Sequence, residues 1–115
     1  MGILLLQEKI ENLQSLADSL LHIGDKDGYI YADDLSQLNQ KIHNQIDELY
    51  PQRGKTAEQE AALCLAILKG YSVSLYANPK DEAQRRNILK RSRIILTNVL
   101  SPTLKEELLT VYQQY

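Results

Sequence analysis

Along most of the chain apolar residues recur at steps of three and four, and these stretches are separated by short runs rich in Gly, Pro, Asp and Asn. Such a period belongs to helices that bury one face. Leu6, Ile10, Leu13, Ala17, Leu20 and Leu21 share a face and predict a first helix over residues 3–22. Gly24 follows where a left-handed C-cap is favoured. The period then breaks. Asp27-Gly28 is a turn pair and Tyr29-Ile30-Tyr31 favours extended backbone, so a short hairpin-like loop leaning on the helices is expected over residues 24–31. A second helix is expected from Asp33 as N-cap, with Leu35, Leu38, Ile42, Ile46 and Leu49 on one face. It should end before Pro51, because a residue preceding proline is driven out of helical geometry.

Thr56 reads as the cap of a third helix, with Gln59 completing a capping box and Glu58 near the positive end of the dipole. From Ala61 to Ala77 this helix is apolar on nearly every side, including Leu63, Cys64, Leu65, Ile67, Leu68, Tyr71, Leu75 and Tyr76. A helix apolar all round is a buried one, so this segment is expected to be central, with a close helix crossing at Gly70. Asn78-Pro79 and Ser101-Pro102 repeat a cap-then-proline grammar and open a fourth and a fifth helix. The fourth carries a stripe of Ile88, Ser92, Ile95, Leu96 and Val99, and the fifth turns Leu104, Leu108, Val111, Tyr112 and Tyr115 inward. The pattern predicts an all-α fold: an antiparallel bundle of four to five helices in a single domain spanning residues 1–115, with the hairpin-like loop after the first helix.

Composition adds bounds to this picture. With 115 residues and 43% of them hydrophobic, the chain can bury one modest core and is not a disordered segment. Cys64 stands alone, so no internal disulfide can staple the fold. The opening Met1-Gly2-Ile3-Leu4-Leu5-Leu6 has no basic residues before it, is too short for a secretory core, and lacks the hydroxyl residue at position 6 that myristoylation needs. No run approaches the roughly 20 apolar residues that span a bilayer. A soluble, cytoplasmic protein without a membrane partner is therefore expected.

Candidate chemistry is sparse. The Asp25-Lys26-Asp27-Gly28 run resembles part of a calcium loop, but with glycine in register Ile23 takes the first ligand position. Starting the loop at Asp25 instead puts Ile30 where glycine is required, so the run reads as a turn. His22 and His43 lack the partners at helical spacing that would build a metal site; His43 has only Asp47 four residues on. Cys64 sits in the most apolar stretch, where a buried thiol is expected and not a nucleophile. There is no glycine-rich phosphate loop, no Gly-x-Ser-x-Gly and no Cys-x-x-Cys. The expectation is a non-enzyme with no cofactor, no metal and no small-molecule substrate.

Charge distribution says more than the net charge of -2, which by itself argues against bulk attraction to nucleic acid. Residues 80–93 hold six basic residues against Asp81 and Glu82, a local +4 that leaves -6 on the rest. On a helical wheel Arg86, Lys90 and Arg93 form a ridge opposite the apolar stripe, suited to an acidic partner or a phosphate backbone. The plainer alternative is a solvated face with Asp81–Arg85 and Glu82–Arg86 ion pairs, each contributing about 0.3–0.5 kcal/mol. No aromatic residue interleaves the ridge, which weakens a single-strand reading based on base stacking. All seven aromatic residues are tyrosines, and Tyr50, Tyr71, Tyr76, Tyr112 and Tyr115 fall at helix ends or on core-facing stripes. Tyrosine and arginine also make good interface anchors.

Particular strings carry a resemblance. Leu49-Tyr50-Pro51-Gln52-Arg53-Gly54, then Thr56-Ala57-Glu58-Gln59-Glu60-Ala61, Leu63-Cys64-Leu65-Ala66 and Gly70-Tyr71, resemble the UpxZ family, the transcription anti-terminator antagonists of Bacteroides capsular polysaccharide loci. Leu16-Ala17-Asp18-Ser19-Leu20-Leu21 and Leu89-Lys90-Arg91-Ser92 are similar too, so the likeness covers about residues 10–112. The resemblance implies a regulator that binds NusG-like anti-terminators belonging to other capsule loci, which needs no chemistry. It also implies a longer protein, continuing beyond the fifth helix, whereas this sequence reaches Tyr115 with its amphipathic pattern still running. The candidate partner-binding residues are Tyr50, Gln52 and Arg53 in the loop before the central helix, with Arg86, Lys90 and Arg93 on the ridge. The alternatives are a small nucleic-acid-binding regulator using the basic helix face, and a dimer that completes its own core.

Overall fold

The computed structural model describes residues 6–21, 32–73 and 79–113. Five helices follow in order: α1 Leu6–Leu21, α2 Ala32–Leu49, α3 Ala57–Val73, α4 Pro79–Leu96 and α5 Pro102–Tyr112. Among the described residues there is no strand. The hairpin-like loop expected over 24–31, the Asn78 cap, the inward-facing Tyr115 and the apolar residues Leu75 and Tyr76 lie outside the described residues. α2 begins at Ala32, so Asp33 falls in its first turn and not at its cap.

Successive helices pack on one another, as in an up-and-down bundle, and α3 also touches α1 and α5. It is therefore the helix that meets all the others. Leu63, Cys64, Leu65, Ala66, Ile67 and Leu68 form six consecutive fully buried positions, which only a helix surrounded on every side can provide. Each large aliphatic side chain among them contributes roughly 1.5–3 kcal/mol by leaving water. Ile10 and Leu13 of α1, Ile42, Ile46 and Leu49 of α2, Ile88 of α4, and Leu108 and Val111 of α5 close around it in one cluster. Val99 joins them from the α4–α5 connection.

The close crossing expected at Gly70 is present. A Cβ placed there would lie 2.8 Å from Ile46 Cδ1 and 3.4 Å from Ile42 Cγ2, so the bare glycine lets α2 approach α3. The helix starts are built as their sequences suggest. Thr56 Oγ1 accepts the Gln59 N–H at 3.1 Å, while the Gln59 side chain reaches back to the Lys55 N–H at 2.8 Å, one residue earlier than in the usual box. Ser101 caps α5 by accepting the Leu104 N–H at 3.3 Å, with Pro102 in the first turn. Glu58 lies where these two helix starts meet and accepts the backbone N–H groups of Leu100 and Ser101.

Candidate functional site

The loop between α2 and α3 is shaped by one buried ion pair. Pro51 stops α2, and the chain must turn across the first turn of α3 before Thr56 can cap it. Glu60, one turn into α3, receives the Gly54 N–H at 3.0 Å and the Arg91 guanidinium of α4 at 3.1–3.2 Å. The same guanidinium donates to the backbone carbonyls of Tyr50 at 3.0 Å and Gln52 at 2.9 Å. Arg91 is 8% exposed and Glu60 13%, so this fork of charge-assisted hydrogen bonds is shielded from water. Burial alone would raise the Glu60 pKa. The hydrogen bonds from Arg91 and Gly54, with the charges of Arg91 and Arg53, outweigh that effect and hold the carboxyl below its ordinary value.

Gly54 is required by this packing. A Cβ there would sit 2.5 Å from Glu60 Cα and 2.6 Å from the Gln59 carbonyl carbon, so only glycine lets the loop lie against α3. Nearby Cys64 is fully buried, and burial together with the Glu60 charge pushes its thiol up to about 12. It stays protonated at neutral pH, as the sequence suggested, and is unsuited to attack as a thiolate.

The clamped loop and α4 together form an open groove. Its lining includes Tyr50, Lys80, Ala83, Gln84, Arg86, Asn87 and Lys90. The half-buried Tyr50 packs against the core and accepts a hydrogen bond from Asn87 Nδ2 at 2.7 Å through its hydroxyl oxygen. Arg86 pairs with Glu82 at 3.6 Å, one turn back on α4, and Lys80 reaches Asp47 of α2 at 3.7 Å. Arg85 also meets Glu82, at 3.7 Å. Asp81 is buried and faces His43 of α2 at 3.9 Å. Among the described residues no three His, Cys, Asp or Glu side chains cluster in a way that could hold a metal ion.

The structure thus gathers three of the six residues singled out in the sequence, Tyr50, Arg86 and Lys90, around one groove. Gln52 and Arg53 are exposed on the same loop; Gln52 is tied down through its carbonyl, and Arg53 lies 3.5 Å from Glu60. Arg93 is exposed at the other end of the ridge, its guanidinium 5.3 Å from the centre of the Tyr112 ring of α5. Tyr112 in turn shares a 2.6 Å hydrogen bond with the buried Ser92 hydroxyl. The residues that sequence reasoning missed are Arg91 and Glu60, which fix the loop, and Lys80 and Asn87, which complete the groove. A signal for Arg91 exists: it lies three residues after Ile88 and four before Ile95, on the inward stripe of α4.

The hydrogen-bonded loop and the basic face of α4 together present a preformed surface. The sequence matches the UpxZ family of transcription anti-terminator antagonists over residues 10–114, and the chain belongs to that family. Its fold is similar to the crystal structure of a transcription anti-terminator antagonist UpxZ from Bacteroides uniformis ATCC 8492, with a TM-score of 0.84 and 30% sequence identity. The match covers 96% of this chain and 69% of that one. No curated protein matches the sequence. Among the described residues no helix is long and apolar enough to cross a membrane.

Proposed function

We propose that this protein represses transcription of capsular polysaccharide loci in the cytoplasm by binding NusG-like anti-terminators and covering the side they present to polymerase or RNA. The observation that carries this reading is membership of a family of anti-terminator antagonists across residues 10–114. Antagonism of this kind requires only a stable surface of suitable shape and charge. The loop Tyr50–Gly54, held by three backbone hydrogen bonds to Glu60 and Arg91, offers such a surface at low entropic cost on binding. Tyr50 supplies contact area, and Arg53, Arg86, Lys90 and Arg93 supply cations for partner carboxylates, with Gln52 as a polar neighbour.

The test is direct binding of the purified chain to purified NusG-like anti-terminators, measured by calorimetry at several salt concentrations. Saturable one-to-one binding to at least one of them is expected. Failure to bind any, together with binding to leader RNA whose affinity falls with a log–log slope of about -0.9 per phosphate contact, would sink the proposal in favour of a nucleic-acid regulator.

A further inference from the structure

Resting on the reading above, we infer that the groove between Tyr50 and α4 receives an acidic segment of the partner protein. Lys80, Arg86 and Lys90 meet its carboxylates, and the Tyr50 ring and Ala83 meet its apolar side chains.

Charge is the first ground. The whole chain carries -2, yet the groove lining holds three cations and no carboxylate. Two of these cations are already paired, but through long contacts of 3.6 Å and 3.7 Å between exposed groups. Such exposed pairs contribute little and exchange readily for a partner's carboxylate. Lys90 has no acidic partner among the described residues. The groove therefore gains Coulomb energy from an incoming acid without breaking anything of consequence.

Preorganisation is the second ground. The apolar wall does not have to be built on binding, because Tyr50 is fixed at both ends. Asn87 holds its hydroxyl at 2.7 Å and Arg91 holds its carbonyl at 3.0 Å. A side chain held in this way loses little freedom when a partner covers it.

The same geometry favours a protein over a nucleic acid. Asp47 and Glu82 stand beside Lys80 and Arg86, so carboxylates interrupt the positive surface at that end of the groove, and beyond Lys90 it continues on α4 only through Arg93. A phosphate backbone needs a continuous basic track, ideally with several stacking rings, and here Tyr50 is the lone aromatic residue in the lining. A short acidic segment with interspersed apolar residues fits between the flanking carboxylates.

The experiment uses the full chain and three labelled probes: a dodecapeptide alternating Glu and Leu, its counterpart with every Glu replaced by Gln, and a single-stranded RNA dodecamer. Fluorescence anisotropy is read for the natural sequence, for Lys90→Glu, and for Lys41→Glu, an equal charge change on an exposed residue of α2 outside the groove. The acidic peptide is expected to bind at least about tenfold more tightly than the Gln peptide. Lys90→Glu should remove most of that preference while Lys41→Glu leaves it unchanged. The inference is overturned if the two peptides bind alike, if both substitutions weaken binding equally, or if the RNA binds more tightly than the acidic peptide. Titrating a NusG-like anti-terminator with the same variants separates the two claims. If it binds the natural chain and Lys90→Glu alike, the groove is refuted while the proposed function stands. If the acidic peptide seats in the groove and no anti-terminator binds, the converse holds.

Discussion

Replacing Arg91 with alanine strips one partner from the ion pair on which the loop depends. Glu60, 13% exposed, would keep its charge with only Arg53 and the Gly54 N–H nearby, and the carbonyls of Tyr50 and Gln52 would lose their donor. Removing one side of a buried pair costs about 3–5 kcal/mol, because the remaining charge stays desolvated without compensation. The loop carbonyls lie close enough to solvent to recover water, since Pro51, Gln52 and Arg53 are exposed, so the lower part of that range is expected. About 3 kcal/mol is a large fraction of the stability of a domain this size and should lower Tm by roughly 10 °C. Arg91→Lys keeps the charge but loses the fork that reaches two carbonyls and a carboxylate together, and should recover only part of the loss. Replacing both partners with apolar residues, Arg91→Met with Glu60→Leu, should cost less than Arg91→Met alone, because no lone charge remains. Urea unfolding followed by circular dichroism provides the measurement. A loss below about 1 kcal/mol for Arg91→Ala would refute the clamp, since only a solvated surface pair is that cheap.

Four further outcomes follow from the same structure. Gly54→Ala places a Cβ against helix backbone at 2.5 Å and 2.6 Å, so the loop must move and the substitution should cost about 2 kcal/mol or more in urea unfolding. Gly70→Ala meets the tip of Ile46 at 2.8 Å and regains about 1 kcal/mol of helix propensity, so it should stay within roughly 1 kcal/mol of the natural chain. Because the folded Glu60 pKa lies below its unfolded value near 4.5, the unfolded state binds the proton more readily. Its contribution is present above that pH and is lost as pH falls through the folded value; Glu60→Gln should flatten the acid limb of a stability–pH curve. Ser101→Ala removes the 3.3 Å cap of α5 and should cost about 1 kcal/mol in thermal unfolding.

The helices and their inward faces are legible in the sequence because burial repeats at the helical period. Ile42, Ile46 and Leu49, or Leu104, Leu108 and Val111, can be assigned from spacing alone. Helix α3 is legible by the opposite sign, having no polar face, and Gly70 marks the crossing with Ile42 and Ile46. The ends at Pro51 and Ser101-Pro102 follow from local backbone chemistry, as does the Thr56 cap. The charged residues are a different matter. Arg91 stands among six basic residues of α4, and a count of charges cannot say which one turns inward to meet Glu60. Its position on the Ile88 stripe is the available clue, but the partner lies 31 residues away and pairing across helices has no period. Asp81 is hidden in the same way: read as an exposed member of an ion pair within α4, it is buried and faces His43 of α2. Within the candidate site, Tyr50 and the exposed ridge could be chosen from residue type and amphipathicity. The groove they form with Lys80 and Asn87 needs the loop's path, which Arg91 and Glu60 decide.

The central claim is that this bundle acts by holding an anti-terminator on the surface between the Tyr50–Gly54 loop and α4. The measurement that addresses it most directly is calorimetric titration of a purified NusG-like anti-terminator into the natural chain and into Arg86→Glu/Lys90→Glu. Unfolding curves of both proteins should be recorded alongside. The account predicts saturable binding by the natural chain and at least about a tenfold loss in the double variant, with the unfolding curves nearly superimposed because both side chains are exposed. Equal affinity of the two chains for the anti-terminator would contradict it.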